Sequence, residues 1–395
     1  MSRFPRVPAE FASIRATEDG MNLTQPRQIA GASARRYRGA LVGRTITACP
    51  TWAAVAIAIG VAVFGATVSP ATQAAEQDSA GADATLRCIK TSGIQFCTRD
   101  GSAGLCDVYL PAPQASDLAP EQTGPATEDD ANTNAATPSP NGRVDRRWPV
   151  VLVVHGGGWA AGDKWTMNGH CQALAKSGVA AVSINYRLAP EFQFPAQVDD
   201  LREALVWITR HAQEYSLDLD RVGLFGYSAG GHLVSLLGTL ADEPWETVQN
   251  TTTWPQADSR WDEIPTIRAV CAGGPPTNFQ NLPPGNSALA YFLGGTRQEV
   301  PEVYSAASPL HHASNGDPPF QLVHGEADGI VPVEGSQAFH QGLTEVGVNA
   351  SLKVLPKNGH LLAFINPQMT EAMVRFFVQQ LDVDKQDAQT PAADN

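Results

Sequence analysis

Cysteine is scarce in this chain, six residues in 395, and no two of them stand in a Cys-x-x-Cys pair. That spacing is what zinc ribbons and dithiol redox centres need, so neither is expected, and no metal or other cofactor is called for. Lysine is missing altogether up to Ala75, where eight arginines face three acids. The whole chain nonetheless carries a formal charge of −13, so the part beyond Ala75 is strongly acidic. Such a surface repels nucleic acid and anionic membranes, and no nucleic-acid partner is expected. No internal repeat is visible, which excludes solenoids and propellers.

Residues 1–50 form a basic N-terminal region with no globular patterning. Thr51 to Val68 follows as eighteen residues without a charge, preceded by Arg35, Arg36, Arg38 and Arg44. That is the arrangement of a signal peptide or of a single membrane anchor, so the body is expected outside the cytoplasm, secreted or anchored by residues 51–68. Cys88 and Cys97 flank Ser92-Gly93, which reads as a hairpin turn between short strands at Leu86–Lys90 and Ile94–Thr98, and the two thiols are placed to pair across it. A third strand is expected over Leu105–Leu110. Residues 111–147 are rich in Pro, Ala, Asp, Asn and Thr; with so little apolar surface to bury they are expected to be a disordered insertion. Residues 382–395 read as a disordered tail.

After Trp148 the pattern becomes short apolar runs separated by helical stretches. Pro149–Val154, Ala180–Asn185, Val222–Phe225, Ile267–Ala272 and Pro319–Val323 are continuous and rich in branched residues, as strands buried on both faces must be, and Ala350–Leu355 is a more polar strand. Helices are expected over Gly169–Ser177, Ala196–Tyr215, Gly335–Val346 and Pro367–Leu381. Alternating strand and helix gives an α/β class: a mostly parallel sheet with helices on both faces, forming one catalytic domain over residues 76–381.

Gly226-Tyr227-Ser228-Ala229-Gly230 follows the strand ending at Phe225 and precedes a helix-compatible run. This strand, turn and helix setting is that of a nucleophile elbow, in which small neighbours let the backbone turn tightly enough to project a serine. A packing turn of small residues is the competing reading. A serine hydroxyl needs a base and a site for the oxyanion. His155-Gly156-Gly157-Gly158-Trp159 ends the strand Pro149–Val154 and lacks the Lys-Ser/Thr ending of a phosphate loop. It offers unobstructed backbone N–H groups, so Gly157, Gly158 and Ala229 are the expected oxyanion donors. Trp159 is the candidate substrate contact. Asp328, in the turn after Pro319–Val323, is the candidate orienting acid, with Glu326 as competitor. His360, after Ala350–Leu355, completes the chain order Ser, Asp, His. His155 and His324 lie in turns near the site and are expected to support loops, and His232 begins the elbow helix. Trp261, Phe279, Tyr291 and Phe292 either form a cap and acyl pocket or pack beneath loops.

The runs His155–Lys164, Asn185–Glu191, Phe194–Gln197, Gly226–Leu233 and Pro318–Pro332 together resemble the bacterial feruloyl-esterase-like carboxylesterases, kin of the hormone-sensitive lipase family. The likeness covers roughly Leu105 to Leu381 without the insertion. It implies an α/β-hydrolase fold and ester hydrolysis by Ser228, Asp328 and His360, with Gly157, Gly158 and Ala229 as oxyanion donors. The substrates implied are short-acyl, acetyl or feruloyl esters of small molecules or of polysaccharide. The chain departs from the family pattern at Gly273-Gly274-Pro275-Pro276-Thr277-Asn278 and in the long insertion, which bear on the substrate rather than the chemistry. An amidase of the kynurenine-formamidase type shares the His-Gly-Gly-x-Trp element, and a non-catalytic binding protein on the same scaffold is the alternative of another class. Oligomeric state is left open.

Overall fold

A computed structural model describes residues 86–98, 101–113 and 147–383. The N-terminal region, the run 51–68, most of the insertion and residues 384–395 lie outside the described residues.

Among the described residues eight strands make one sheet: β1 (Arg87–Gln95), β2 (Leu105–Ala112), β3 (Trp148–Val154), β4 (Ala180–Ile184), β5 (Leu217–Tyr227), β6 (Ile267–Gly273), β7 (Phe320–Gly325) and β8 (Ala350–Leu355), in the order β1-β2-β4-β3-β5-β6-β7-β8. β1 pairs antiparallel with β2, and β2 with β4; every later pairing is parallel. The helices are α1 (Asn168–Lys176), α2 (Ala196–Arg210), α3 (Ala229–Thr239), α4 (Trp245–Val248), α5 (Ala290–Leu293), α6 (Pro301–Ala306), α7 (Val333–Glu345), α8 (His360–Ile365) and α9 (Pro367–Gln380).

The alternation of strand side chains assigns the two faces. Val150, Leu152 and Val154 of β3 join the core with Leu201 and Leu205 of α2, Leu233 and Leu236 of α3, and Phe339 of α7. Val151 and Val153 join a second core with Cys171 and Leu174 of α1 and Met373 and Phe377 of α9. A strand packed on both sides has no polar face, which is why β3 reads Trp-Pro-Val-Val-Leu-Val-Val without alternation. Each such side chain contributes roughly 1.5–3 kcal/mol on burial.

Several expectations need correction. Ser92-Gly93 is no hairpin turn: β1 runs through it as one strand with a bulge between Thr91 and Ile94. Gly93 takes φ 74° and its N–H donates to Asp107 Oδ1 at 3.0 Å. Cys88 and Cys97 are therefore strung along one extended segment instead of facing each other, and no disulfide joins them. The insertion begins later than 111, because Pro111 and Ala112 belong to β2, with Pro111 opposite Cys88. Val383, expected in the tail, is buried at 8% exposure in the second core together with Leu381. The helix expected to reach Tyr215 ends at Arg210, and β5 starts five residues early, at Leu217, paired with Trp148. Among the described residues no helix is long and apolar enough to cross a membrane.

Candidate active site

The nucleophile candidate sits where β5 meets α3. Ser228 adopts φ 56°, ψ −120°, a conformation costly for a residue with a Cβ, roughly 1–3 kcal/mol. The surroundings impose it. Ser228 N–H donates to Gly273 O at the end of β6 at 2.7 Å, and Ser228 O accepts from His232 N at 2.8 Å as α3 begins. The helix enters so close to the sheet that a Cβ on Gly230 would collide with the carbonyls of Val154 and His155. Ser228 itself remains half-buried.

Asp328 lies in the turn that follows β7, with its side chain wholly buried. Oδ1 accepts from the N–H groups of Ile330 and Val331, both at 2.9 Å. Oδ2 meets His360 Nδ1 at 2.5 Å and His324 Nε2 at 3.2 Å. Burial alone raises the carboxyl pKa, but the hydrogen bonds from His324, His360 and Val331 N–H, with the charge of His360, override it and hold Asp328 well below the usual carboxylate range. His324 is fixed in turn: Nε2 also donates to Val331 O at 2.9 Å, which leaves Nδ1 to accept from Ser336 Oγ at 2.7 Å. Glu326, the competing acid, points away and accepts from Lys357 N at 3.0 Å.

His360 opens α8 just past β8, and its Nδ1–H faces Asp328, leaving Nε2 as the basic atom. Its backbone carbonyl accepts from Tyr227 Oη at 2.5 Å. Tyr227, the residue before the serine, is buried, and burial together with the nearby Asp328 charge pushes its phenol far above its ordinary value, so it serves only as a donor. A Cβ on Gly274 would stand 3.1 Å from His360 Cε1, so the ring packs directly over the end of β6. Ser228 and His360 are thus both seated on Gly273-Gly274. No hydrogen bond joins the serine hydroxyl to the ring in this conformation, a contact that in such sites commonly tightens when substrate is in place.

The glycine loop expected to receive the oxyanion is held from behind. In a trans peptide the N–H points opposite to the carbonyl, so anchoring the carbonyl aims the N–H. His155 Nδ1 donates to Gly156 O at 2.7 Å, which orients the Gly157 N–H. Ala160 N and Ala161 N donate to Gly157 O at 3.2 and 3.0 Å, which orients the Gly158 N–H. Gly157 has φ 122°, open only to glycine, and a Cβ there would strike Ala161 O. Burial lowers the His155 pKa to about 4, so the ring stays neutral, stacked on Tyr186 with ring centroids 4.3 Å apart. Ala229 is the first residue of α3, where N–H groups lack helical partners.

Trp159 is a correction. Its indole is 5% exposed, stacks on Phe292 at 4.4 Å and donates Nε1–H to His232 Nδ1 at 3.1 Å, while His232 Nε2 donates to Ala307 O. The ring belongs to the core behind the loop, with little surface left to meet a substrate. Phe279 and Phe292 are core residues too, and Trp261 meets Trp245 and Trp254 edge to face. Of the four aromatics weighed for a cap, Tyr291 hydrogen-bonds the glycine run itself: its hydroxyl donates to Gly158 O at 2.7 Å, and burial pushes its pKa up to about 12. Sequence reasoning did not assign Tyr227 or Tyr291 these hydrogen bonds; nothing in local spacing marks a tyrosine whose partner lies 133 positions away.

The parallel sheet, the strained serine elbow and the carboxylate-held histidine past the last strand are those of an α/β-hydrolase. The profile of the BD-FAE family matches residues 139–343, just over half of the sequence, and the chain belongs to that family. Esterase LipC of Mycobacterium tuberculosis is 29% identical over 54% of this chain and 52% of its own length. Esterase LipI of the same organism is 30% identical over 51% of this chain and 72% of its own. The chain spans about half the length of the first curated relatives it matches. The solved structure of a truncated carbohydrate esterase from gut microbiota covers 77% of this chain and 100% of its own at TM-score 0.59 and 20% identity, a likeness of fold.

Proposed function

We propose that the protein hydrolyses carboxylic esters through an acyl-enzyme on Ser228. The observation that carries this reading is the 2.5 Å Asp328–His360 bond, formed at the same sheet edge as the serine elbow and the back-anchored glycine loop. His360 Nε2 takes the Ser228 proton as Oγ attacks the ester carbonyl. The N–H groups of Gly157, Gly158 and Ala229 receive the oxyanion. The bond to the alcohol breaks as Nε2 returns the proton to the departing oxygen; water then repeats the sequence on the acyl-serine. Asp328 keeps the imidazole in the Nδ1–H tautomer and balances its charge when protonated. The esterase names of the relatives support the reaction class. Substrates are short-acyl esters of small molecules or of polysaccharide.

Ser228→Ala is expected to lower hydrolysis of p-nitrophenyl acetate by about 10³-fold or more while leaving the thermal transition in place. Activity retained in that variant overturns the assignment. The uncharged run Thr51–Val68 supports a body held outside the cytoplasm; immunoblotting of fractionated cells tests it, and recovery of the protein in the cytosol counts against it.

A further inference from the structure

Among the described residues, seven large apolar side chains are exposed, and their distribution is uneven. Ile89 lies on the edge strand β1 and Val346 at the end of α7. The other five, Trp165, Phe192, Leu361, Leu362 and Ile365, stand on segments just beyond the carboxyl ends of β3, β4 and β8, the edge that carries Ser228 and His360. Three of them belong to α8. The inward side of that helix is already filled, with Ala363 buried and Phe364 packed on Tyr227 at 4.8 Å and His170 of α1 at 5.0 Å. Its outward side leaves Leu361, Leu362 and Ile365 at 44%, 58% and 70% exposure, immediately after the catalytic histidine. Trp165, at 60%, precedes α1, the helix whose His170 touches α8.

Phe192 has the Arg187 guanidinium over its ring at 5.6 Å, but the α8 segment is uncharged. No Asp, Glu, Lys or Arg occurs from Asn358 to Thr370. Beside Trp165 the charges turn inward: Asp163 accepts from Asn185 Nδ2, and Lys164 pairs with the buried Asp107. An apolar helix face that core packing does not require, beside a hydrolytic site, marks a surface that meets an apolar phase. The net charge of −13 and the lack of Lys or Arg from Asn358 to Thr370 disfavour an anionic bilayer.

We propose that Trp165 and the outer face of α8 seat the enzyme on the surface of neutral acylglycerol droplets, delivering substrate to Ser228 from the assembled phase. This rests on the esterase reading and narrows its substrate class to water-insoluble neutral esters. The full chain is assayed on dissolved p-nitrophenyl acetate and on tributyrin emulsion at varied droplet area. The variant Leu361→Ser/Leu362→Ser/Ile365→Ser is expected to lose about tenfold or more on the emulsion, with the dissolved ester hydrolysed within about twofold of the unaltered protein. Ile365→Ser alone, five positions from His360, is expected to fall between them on the emulsion. Parallel losses on both substrates, or none on the emulsion, overturn the proposal. Flotation of the Ser228→Ala protein with triolein droplets reads adsorption without turnover. If that protein floats while the unaltered enzyme hydrolyses neither ester, the esterase reading alone falls. If the dissolved ester is hydrolysed and nothing floats, the docking proposal alone falls. Binding to phosphatidylglycerol vesicles in place of droplets, or a dimer in gel filtration that the triple variant abolishes, also overturns it.

Discussion

Asp328 serves two imidazoles and two backbone N–H groups at once. Its folded-state pKa is depressed, so its stabilising contribution is fully present above the unfolded carboxylate value of about 4 and is lost as pH falls through the lower folded value. It stays ionised wherever the enzyme is assayed, and an acid limb in the pH–rate profile does not belong to it. In Asp328→Asn the amide is expected to present a donor to Nδ1, turn the ring to the other tautomer and remove the charge that balances the imidazolium. Loss of about 10³- to 10⁴-fold in kcat on p-nitrophenyl acetate is expected, with KM little changed. A loss under about tenfold would mean that the carboxylate does not orient the base. The choice of Asp328 over Glu326 was legible from its place before Gly-Ile-Val-Pro, because that turn returns two N–H groups to the side chain. The second imidazole, His324, was legible only as a loop support; that it touches the same oxygen depends on β7 being buried, which spacing does not reveal.

At the scale of elements, the elbow is the least tolerant segment. Gly230→Ala would drive a methyl into the Val154 and His155 carbonyls, which belong to β3 and to the oxyanion loop. Destabilisation of about 1–3 kcal/mol is expected in urea unfolding, with esterase activity falling further than the folded fraction because the loop shifts with the strand. An unchanged midpoint would show that α3 can retreat from the sheet. The parallel strands were legible because burial on both faces removes polar positions, leaving runs such as Val150 to Val154 that resemble little else. β1 was not. Ser92-Gly93 looks like a turn, and only the Asp107 carboxylate beneath it turns the glycine into a bulge within a continuous strand. Trp159 misled for a related reason: beside the oxyanion glycines it looks available, but its φ of 57° swings the ring back onto Phe292.

For the whole molecule, acidity is limited by burial as well as by net charge. Asp317, ahead of β7, has its pKa raised to about 7 by burial and by neighbouring Asp242, against hydrogen bonds from Ser314. A carboxyl that binds its proton more tightly when folded stabilises most below its unfolded value of about 4, and this is lost as pH rises towards 7. Asp317→Asn is therefore expected to raise Tm at pH 8 and to change it little or lower it at pH 5. The opposite order in scanning calorimetry would place the proton elsewhere. Chain order and strand ends predicted where the site would assemble, since β3, β5, β7 and β8 all deliver their loops to one edge. The hydrogen bonds that hold those loops together were hidden, because they join residues far apart in the chain.

The proposed base has a precarious tether. Among the described residues β8 pairs on one side only, with β7, and is the most solvent-facing of the parallel strands, yet the loop that presents His360 hangs from it. Edge segments open at lower free energy than the centre of a sheet. Warming or mild urea should therefore silence the enzyme while most of the body still stands, so that inactivation precedes the circular-dichroism transition. Coincident curves would mean that the rim strand is locked to the rest.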